Sequence, residues 1–321
     1  MNRAAHEFPS PGVAQRGLEA SPPAPGAIPT LTPREFAEVR RLAHRKFGLD
    51  LRAGKEQLVS GRLAKKLRAG GHRSFAGYLE AVAGDSSGRA LVEMIDALTT
   101  NHTGFLRERA HFDLLGELLA QFAGRDRIDV WCAAASTGEE PYTLACLLAE
   151  KLSGDAGKYT RPTGFHIAAT DISTRALDKA RRAIYPWDAV RALPEPWLRA
   201  HFLRGGGRSE GWYRVKPRLA AHVDFGRLNL IERYSHARPF PVIFCRNVMI
   251  YFDKPTQEAV VARLAEWLEP GGYLFVGHAE SLAGVTHGLE YFRPAVYRKP
   301  RIVNEARTAA VERKTAGSDR R

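Results

Sequence analysis

The chain has 321 residues, 44% hydrophobic and 26% charged, enough apolar material for one large or two modest cores. No apolar run approaches the ~20 residues that span a bilayer, and no basic stretch leads into an apolar one at the N-terminus. Membrane insertion and secretion are therefore not expected, and a cytoplasmic location is. The net charge of +13 is confined to two segments: residues 34–73 hold 12 Lys/Arg against 4 Asp/Glu, and residues 298–321 hold 8 against 3. Three separated cysteines without a CxxC pair suit reduced thiols.

Residues 1–30 are rich in Pro, Ala and Gly and read as a disordered tail. Helical periodicity starts at "TPREFAEVRRLAHRKFGL", with Thr32 as N-cap, Pro33 in the first turn, and Phe36, Val39, Ala43 and Phe47 on one face. A second helix over about 55–69 carries an apolar stripe (Val59, Leu63, Leu67) and a basic one (Lys55, Arg62, Lys66). Two more, over 74–82 and 88–98, complete an all-helical domain at 31–100.

From there strands and helices alternate. "RIDVWCAAA", "FHIAATD", "PFPVIFCRN" and "GGYLFVGH" read as strands; "EEPYTLACLLAEKL", "STRALDKARRAI" and "PTQEAVVARLAEWL" read as helices. This is the pattern of an α/β protein with a doubly wound, mostly parallel sheet, here spanning 101–300. Residues 194–225 interrupt it with a Gly-rich turn between short strands, a small antiparallel β insertion. Residues 301–321 read as a disordered basic tail.

In such sheets ligands bind beyond the carboxyl ends of the strands, which here means 133–140, 170–171 and 245–247. The first of these, "AAASTGEE", has neither GxGxxG nor a P-loop, and Glu139 and Glu140 at its helix start oppose a pyrophosphate. The same carboxylates also suit plain helix capping. Asp171 ends the second strand, where it could take both ribose hydroxyls or cap the next helix. A nucleoside carrying positive charge instead of phosphate fits, and S-adenosylmethionine is one. The joining segment "TTNHTGFLRERAHF" is polar, with Asn101, Thr103 and Arg107 above the expected sheet; a capped interdomain turn, with Thr100 or Asn101 capping a helix that holds Arg107 and Glu108, is the alternative.

Five strings taken together, "TTNHTGFLRERAHF", "VWCAAASTGEEPYTLA", "ATDISTRALDKARRAIY", "FCRNVMIYFDKPTQEAV" and "LEPGGYLFVGHAESL", resemble the bacterial chemotaxis-receptor glutamate methyltransferases over roughly 31–298. The resemblance implies methyl transfer from S-adenosylmethionine to glutamate side chains of chemoreceptors. It implies a cofactor site of Asn101, Thr103, Arg107, Glu140, Asp171, Asn229, Leu230, Arg246 and Asn247, with Arg107 and Tyr251 nearest the transferred methyl. Glu139 is left as the cap. Leu106 departs from the family, which usually has a second Phe there, and Gly104 is a variable point. The resemblance further implies that the β insertion docks a receptor C-terminal peptide. Arg62 and Lys66 would meet the Glu-rich receptor helices.

Two rivals remain at this stage. A nucleic-acid methyltransferase suits the net charge, but the Asn/Asp-Pro-Pro-aromatic tetrapeptide of many amino-methylating enzymes is absent. A non-catalytic cofactor-sensing adaptor is the other. "GDSSG" at 84–88 lies between helices and cannot be a nucleophile elbow, and "HAE" at 278–280 has no PCxxC partner. The 11 histidines show no metal-ligand spacing, and no metal is expected.

Overall fold

A computed structural model describes residues 31–99, 102–152 and 164–301. The tails at 1–30 and 302–321, and with them nearly all of both expected disordered segments, lie outside these described residues.

Four helices open the chain: α1 (Pro33–Phe47), α2 (Glu56–Ala69), α3 (Phe75–Gly84) and α4 (Arg89–Leu98). Thr32 and Glu35 form a reciprocal capping box on α1, satisfying amides that the first helical turn leaves without partners. Phe36, Val39, Ala43 and Phe47 are buried, as their spacing predicts.

The second part runs α5 (Ala110–Leu118), β1 (Ile128–Cys132), α6 (Glu139–Leu152), β2 (Phe165–Asp171), α7 (Thr174–Arg182), β3 (Ile184–Pro186), α8 (Trp187–Val190), α9 (Glu195–His201), β4 (Phe202–Arg204), β5 (Trp212–Val215), α10 (Pro217–Ala220), β6 (Val223–Arg227), β7 (Phe240–Phe244), α11 (Lys254–Glu266), β8 (Leu268–Phe275), β9 (Glu290–Arg293) and β10 (Val296–Arg298). Seven strands form one sheet in the order β6-β2-β1-β7-β8-β10-β9. The first five are mutually parallel; β10 runs antiparallel to β8 and to β9.

Every residue of β1 and β7 is buried, because both faces of the sheet are covered. Alternation along β1 divides the core in two. Trp131 joins the cluster that contains α1–α4 and α11, while Val130 and Cys132 join the one with α5 and α6. The helical domain thus packs on one face of the sheet as part of a continuous core.

The β insertion differs from its expected span of 194–225. Its three-stranded sheet, β3-β5-β4, takes an edge strand from Ile184–Pro186, and β6 belongs to the main sheet beside β2. Three residues at the end of a helical pattern carry too little alternation to show as a strand. Likewise β8 starts at Leu268 rather than after the Pro-Gly-Gly stretch, with its register to β7 shifted between Phe240 and Val242.

Candidate active site

The chain leaves β1 for β2 on one side and later places β7 on the other, so the loops after β1 and β7 diverge above the sheet. Between them lies a cleft open to solvent and lined from both the helical domain and the sheet loops, the place where ligands enter a sheet of this kind. Gly138 begins the turn into α6 at φ +98°, and a Cβ there would fall 2.5 Å from the Tyr185 hydroxyl and 2.9 Å from Ala180 Cβ. Only glycine fits that close approach.

At one end of the cleft sits Arg246, 4% exposed, at the end of β7. It donates from Nη1 to Glu140 (2.5 Å), and from Nη2 to Glu108 (2.9 Å) and to the Arg107 carbonyl (2.6 Å). Glu108 also accepts from the Asn247 side-chain amide at 3.1 Å and the His278 backbone N–H at 3.1 Å. Burial opposes ionisation of Glu108, but the bonds from Arg246 and Asn247 and the guanidinium charge outweigh it and bring its pKa to about 2. Burial opposes the charge on Arg246 too, and its two carboxylates overcome that and raise its pKa. Two carboxylates against one guanidinium leave one net negative charge here.

At the other end Asp171 accepts from Ser173 N–H (2.9 Å) and Ser136 N–H (2.8 Å). Burial raises its pKa despite these bonds, with Asp96 adding to the rise. Ser136 has φ +47°, and its buried hydroxyl, which lines the cleft, has no partner among the described residues. The segment between the domains is also strained: Leu106 and Glu108 have φ +54° and +57° on either side of Arg107. No helix holds Arg107 and Glu108; α5 starts only at Ala110.

Of the residues proposed from sequence, Thr103, Arg107, Glu140, Asp171, Asn229, Leu230, Arg246, Asn247 and Tyr251 all line this cleft. Asn101 lies outside the described residues. Glu139 does not line it; its carboxylate accepts from the Thr137 hydroxyl at 2.6 Å. Asn229 is engaged differently from a simple ligand contact. Its amide donates to the Lys46 carbonyl and to Glu232, both at 2.9 Å, tying the end of α1 to the cleft wall. Arg62 and Lys66 are not in the cleft: Arg62 donates to the Leu98 carbonyl, and Lys66 pairs with Glu93 at 3.0 Å.

Residues that the sequence did not single out complete the site. Phe47, Leu49, Ile95 and Thr99 from the helical domain form one wall. Glu108 and Glu280 hold the loop after β7, and they become recognisable only once the fold brings Arg246 and Asn247 beside them. The fold also assembles a constellation that histidine spacing did not reveal: Glu108, His111 and His278 offer ligand atoms within 4.8 Å of one another. Burial, with Arg246 and His278 nearby, takes the His111 pKa down to about 4. Glu108 is committed to Arg246 and Asn247, and the guanidinium beside it opposes a second cation.

The site fits S-adenosylmethionine, which carries a sulfonium, an ammonium and a carboxylate, one net positive charge. The surplus negative charge around Arg246 complements it. Arg246 Nε and Ser136 Oγ are buried polar atoms without partners among the described residues, at opposite ends of the cleft. Glu140 and Arg246 would hold the amino-acid end, and Asp171 the ribose.

Comparison with known proteins agrees. Residues 101–297 match the model described as "CheR methyltransferase, SAM binding domain", and residues 34–99 match "CheR methyltransferase, all-alpha domain". A chemotaxis protein methyltransferase of Salmonella typhimurium is 39% identical over 268 residues, covering 83% of this chain and 90% of its own. One from Pseudomonas aeruginosa is 41% identical over 268 residues, covering 83% and 93%. One from Escherichia coli is 40% identical over 254 residues, covering 79% and 86%.

Proposed function

The chain belongs to the CheR methyltransferase family, and from that membership we propose a cytoplasmic enzyme that methylates glutamate side chains of chemoreceptors, giving glutamyl methyl esters. The observation that carries this reading is the Arg246–Glu140–Glu108 network at the switch point, with β1 lying between the strand that leads to Arg246 and the strand that ends in Asp171. No helix among the described residues is long and apolar enough to cross a membrane.

When bound, S-adenosylmethionine supplies a methyl group made electrophilic by its positively charged sulfur. A glutamate carboxylate, with an unperturbed pKa of about 4.3, is already an anion at neutral pH, so no residue has to remove a proton. Glu140, Arg246 and Asp171 would hold the cofactor, and it would give its methyl to one carboxylate oxygen as the carbon–sulfur bond broke, leaving as a neutral thioether. The protein's task is alignment, an effect that reaches ~7–11 kcal/mol in favourable systems. Arg107, whose guanidinium donates to the His102 carbonyl at 2.5 Å, orients the incoming carboxylate. Tyr251, at the cleft wall, positions it without a full charge that would blunt its nucleophilicity.

The receptor's Glu-rich helices meet the basic side of α2. Arg62 and Lys66 are half-buried and engaged within the domain, so exposed Lys55, Lys65 and Arg68 carry part of the attraction. A receptor tail peptide adds as a strand beside β4, an edge of the small sheet, next to a cleft lined by Trp187, Phe202, Gly206 and Tyr213.

The test incubates the full chain and methyl-labelled cofactor separately with a receptor cytoplasmic fragment, RNA and DNA. Base-labile label on receptor glutamates is the expected result. Label on nucleic acid alone, or cofactor binding with no transfer to any of the three, overturns the reading.

A further inference from the structure

Glu280 follows β8, is 5% exposed, and forms no ion pair with any described residue. A lone carboxylate in such a place is costly unless its oxygens are fully used. They are used, by backbone. Oε2 accepts from Asn247 N–H at 2.7 Å and Gly277 N–H at 2.7 Å, and Oε1 accepts from Ile250 N–H at 3.2 Å. Two of the three donors belong to the single stretch 247–250. Burial still raises its pKa against the pull of these bonds.

That stretch departs from regular structure. Asn247 has φ +57°, and a single 3-10 turn at Met249–Tyr251 follows. A chain turning this way cannot pair its own amides along a strand or helix, and Glu280 takes them instead. Gly277 permits the approach, since a Cβ there would lie 2.8 Å from Glu280 Oε2 and inside contact distance of the Asn247 amide. From the other side Glu108 grips the Arg246 and Asn247 side chains. One carboxylate fixes the loop's side chains and the other its backbone.

We infer that Glu280 is a positioning residue for methyl transfer: its carboxylate holds the 247–250 backbone so that Arg246 and Asn247 meet the cofactor and Tyr251 stands over the reacting methyl. The inference rests on the role proposed above for Tyr251. Acting through the loop, Glu280 touches neither substrate nor cofactor.

Glu280→Gln keeps the volume, removes the charge and turns an N–H₂ group toward backbone donors. Amide exchange at Asn247 and Ile250 is expected to accelerate by about tenfold or more, the loss of a charged hydrogen bond. The kcat per folded molecule is expected to fall about tenfold to a hundredfold, as small misplacements do, with the receptor KM within about threefold. Glu280→Asp, which restores the charge at shorter reach, should recover part of both, and it carries the test if the Gln variant fails to fold. Unchanged exchange refutes the clamp. Accelerated exchange with unchanged kcat makes Glu280 merely structural and overturns the inference. Full turnover by Tyr251→Phe would instead defeat the Tyr251 role, and the exchange pattern would still report whether the clamp exists.

Discussion

The two ends of the cleft handle charge in opposite ways. Around Arg246 charge meets charge, with half-buried Glu108 and buried Glu140 closing on one buried guanidinium. At Asp171 one carboxylate is answered by two backbone amides, and the charge of Asp96, of the same sign, adds to the rise in its pKa. The first arrangement is stable only as a set, because removing one member leaves buried charge without a partner. The second leaves the carboxylate disfavoured by its own surroundings, which suits the ribose-binding role proposed for it. On that reading, architecture is invested at one end and binding specificity at the other.

The sharpest way to break this contrast is Arg246→Ala. It strands Glu108 and Glu140, and stability should fall by about 3–5 kcal/mol, with cofactor binding lost. Replacing the set together, with Glu108→Gln, Glu140→Gln and Arg246→Met, should restore much of the stability and none of the binding. Thermal melts with and without cofactor check both. If Arg246→Ala melts like the parent, the network is hydrated and the contrast fails. The same network predicts an acid limb. The Glu108 pKa of about 2 lies below its unfolded value of 4.5, so its contribution is present above pH 4.5 and is lost as pH falls toward 2. Urea midpoints of the parent should drop across that window, and those of Glu108→Gln should drop less.

Asp171→Asn tests the other end and should behave in reverse. Stability should hold or rise, since the fold disfavours the ionised carboxyl, while cofactor affinity falls by about 1.5–3 kcal/mol, the worth of charged hydrogen bonds. The sign with pH is opposite to that of Glu108. With a folded pKa raised above 3.8, Asp171 costs stability as pH rises through the interval between the two values, whereas cofactor affinity is lost as pH falls through the raised one. Calorimetric titration over pH reads both. A large loss of stability in Asp171→Asn would mean that it, too, is structural.

How much of this was legible in the sequence follows the same division. The four helices of the first domain and the alternation of β1, β2, β7 and β8 with their helices were, because 3.6- and 2-residue periodicity and caps such as Thr32 and Ser173 are local, whereas the short strands β9 and β10 were not. Of the cleft residues, Glu140, Asp171, Arg246 and Asn247 could be singled out from their places at strand ends, and Thr103 and Arg107 from the polar joining segment. Most of the others followed from resemblance to a family with long, ordered motifs. Glu108 and Glu280 could not be read, since each matters only through a partner 138 or 33 residues away. Ile184–Pro186 escaped as a strand because three residues cannot show alternation. Arg62 and Lys66 formed a clean basic stripe on paper, but the α2–α4 contact claimed both.

The smallest expected effect lies where the helical domain meets the ribose side. His44 reaches Asp253 at 2.8 Å, but the His44 side chain is exposed and that of Asp253 only half-buried. Such pairs contribute about 0–1 kcal/mol, and Asp253 keeps its bond from the Thr256 amide without His44. His44→Ala should therefore change cofactor affinity by less than about threefold. Asn229→Ala removes a buried amide whose loss leaves the Lys46 carbonyl without its donor, and should cost about 1–3 kcal/mol. Both variants act through the wall that the helical domain contributes, so cofactor dissociation rates should rise in the order parent, His44→Ala, Asn229→Ala. If instead His44→Ala dissociates faster than Asn229→Ala, the wall is held by surface charge rather than by the buried amide, and the ribose end is less like a preformed acceptor site than its geometry indicates.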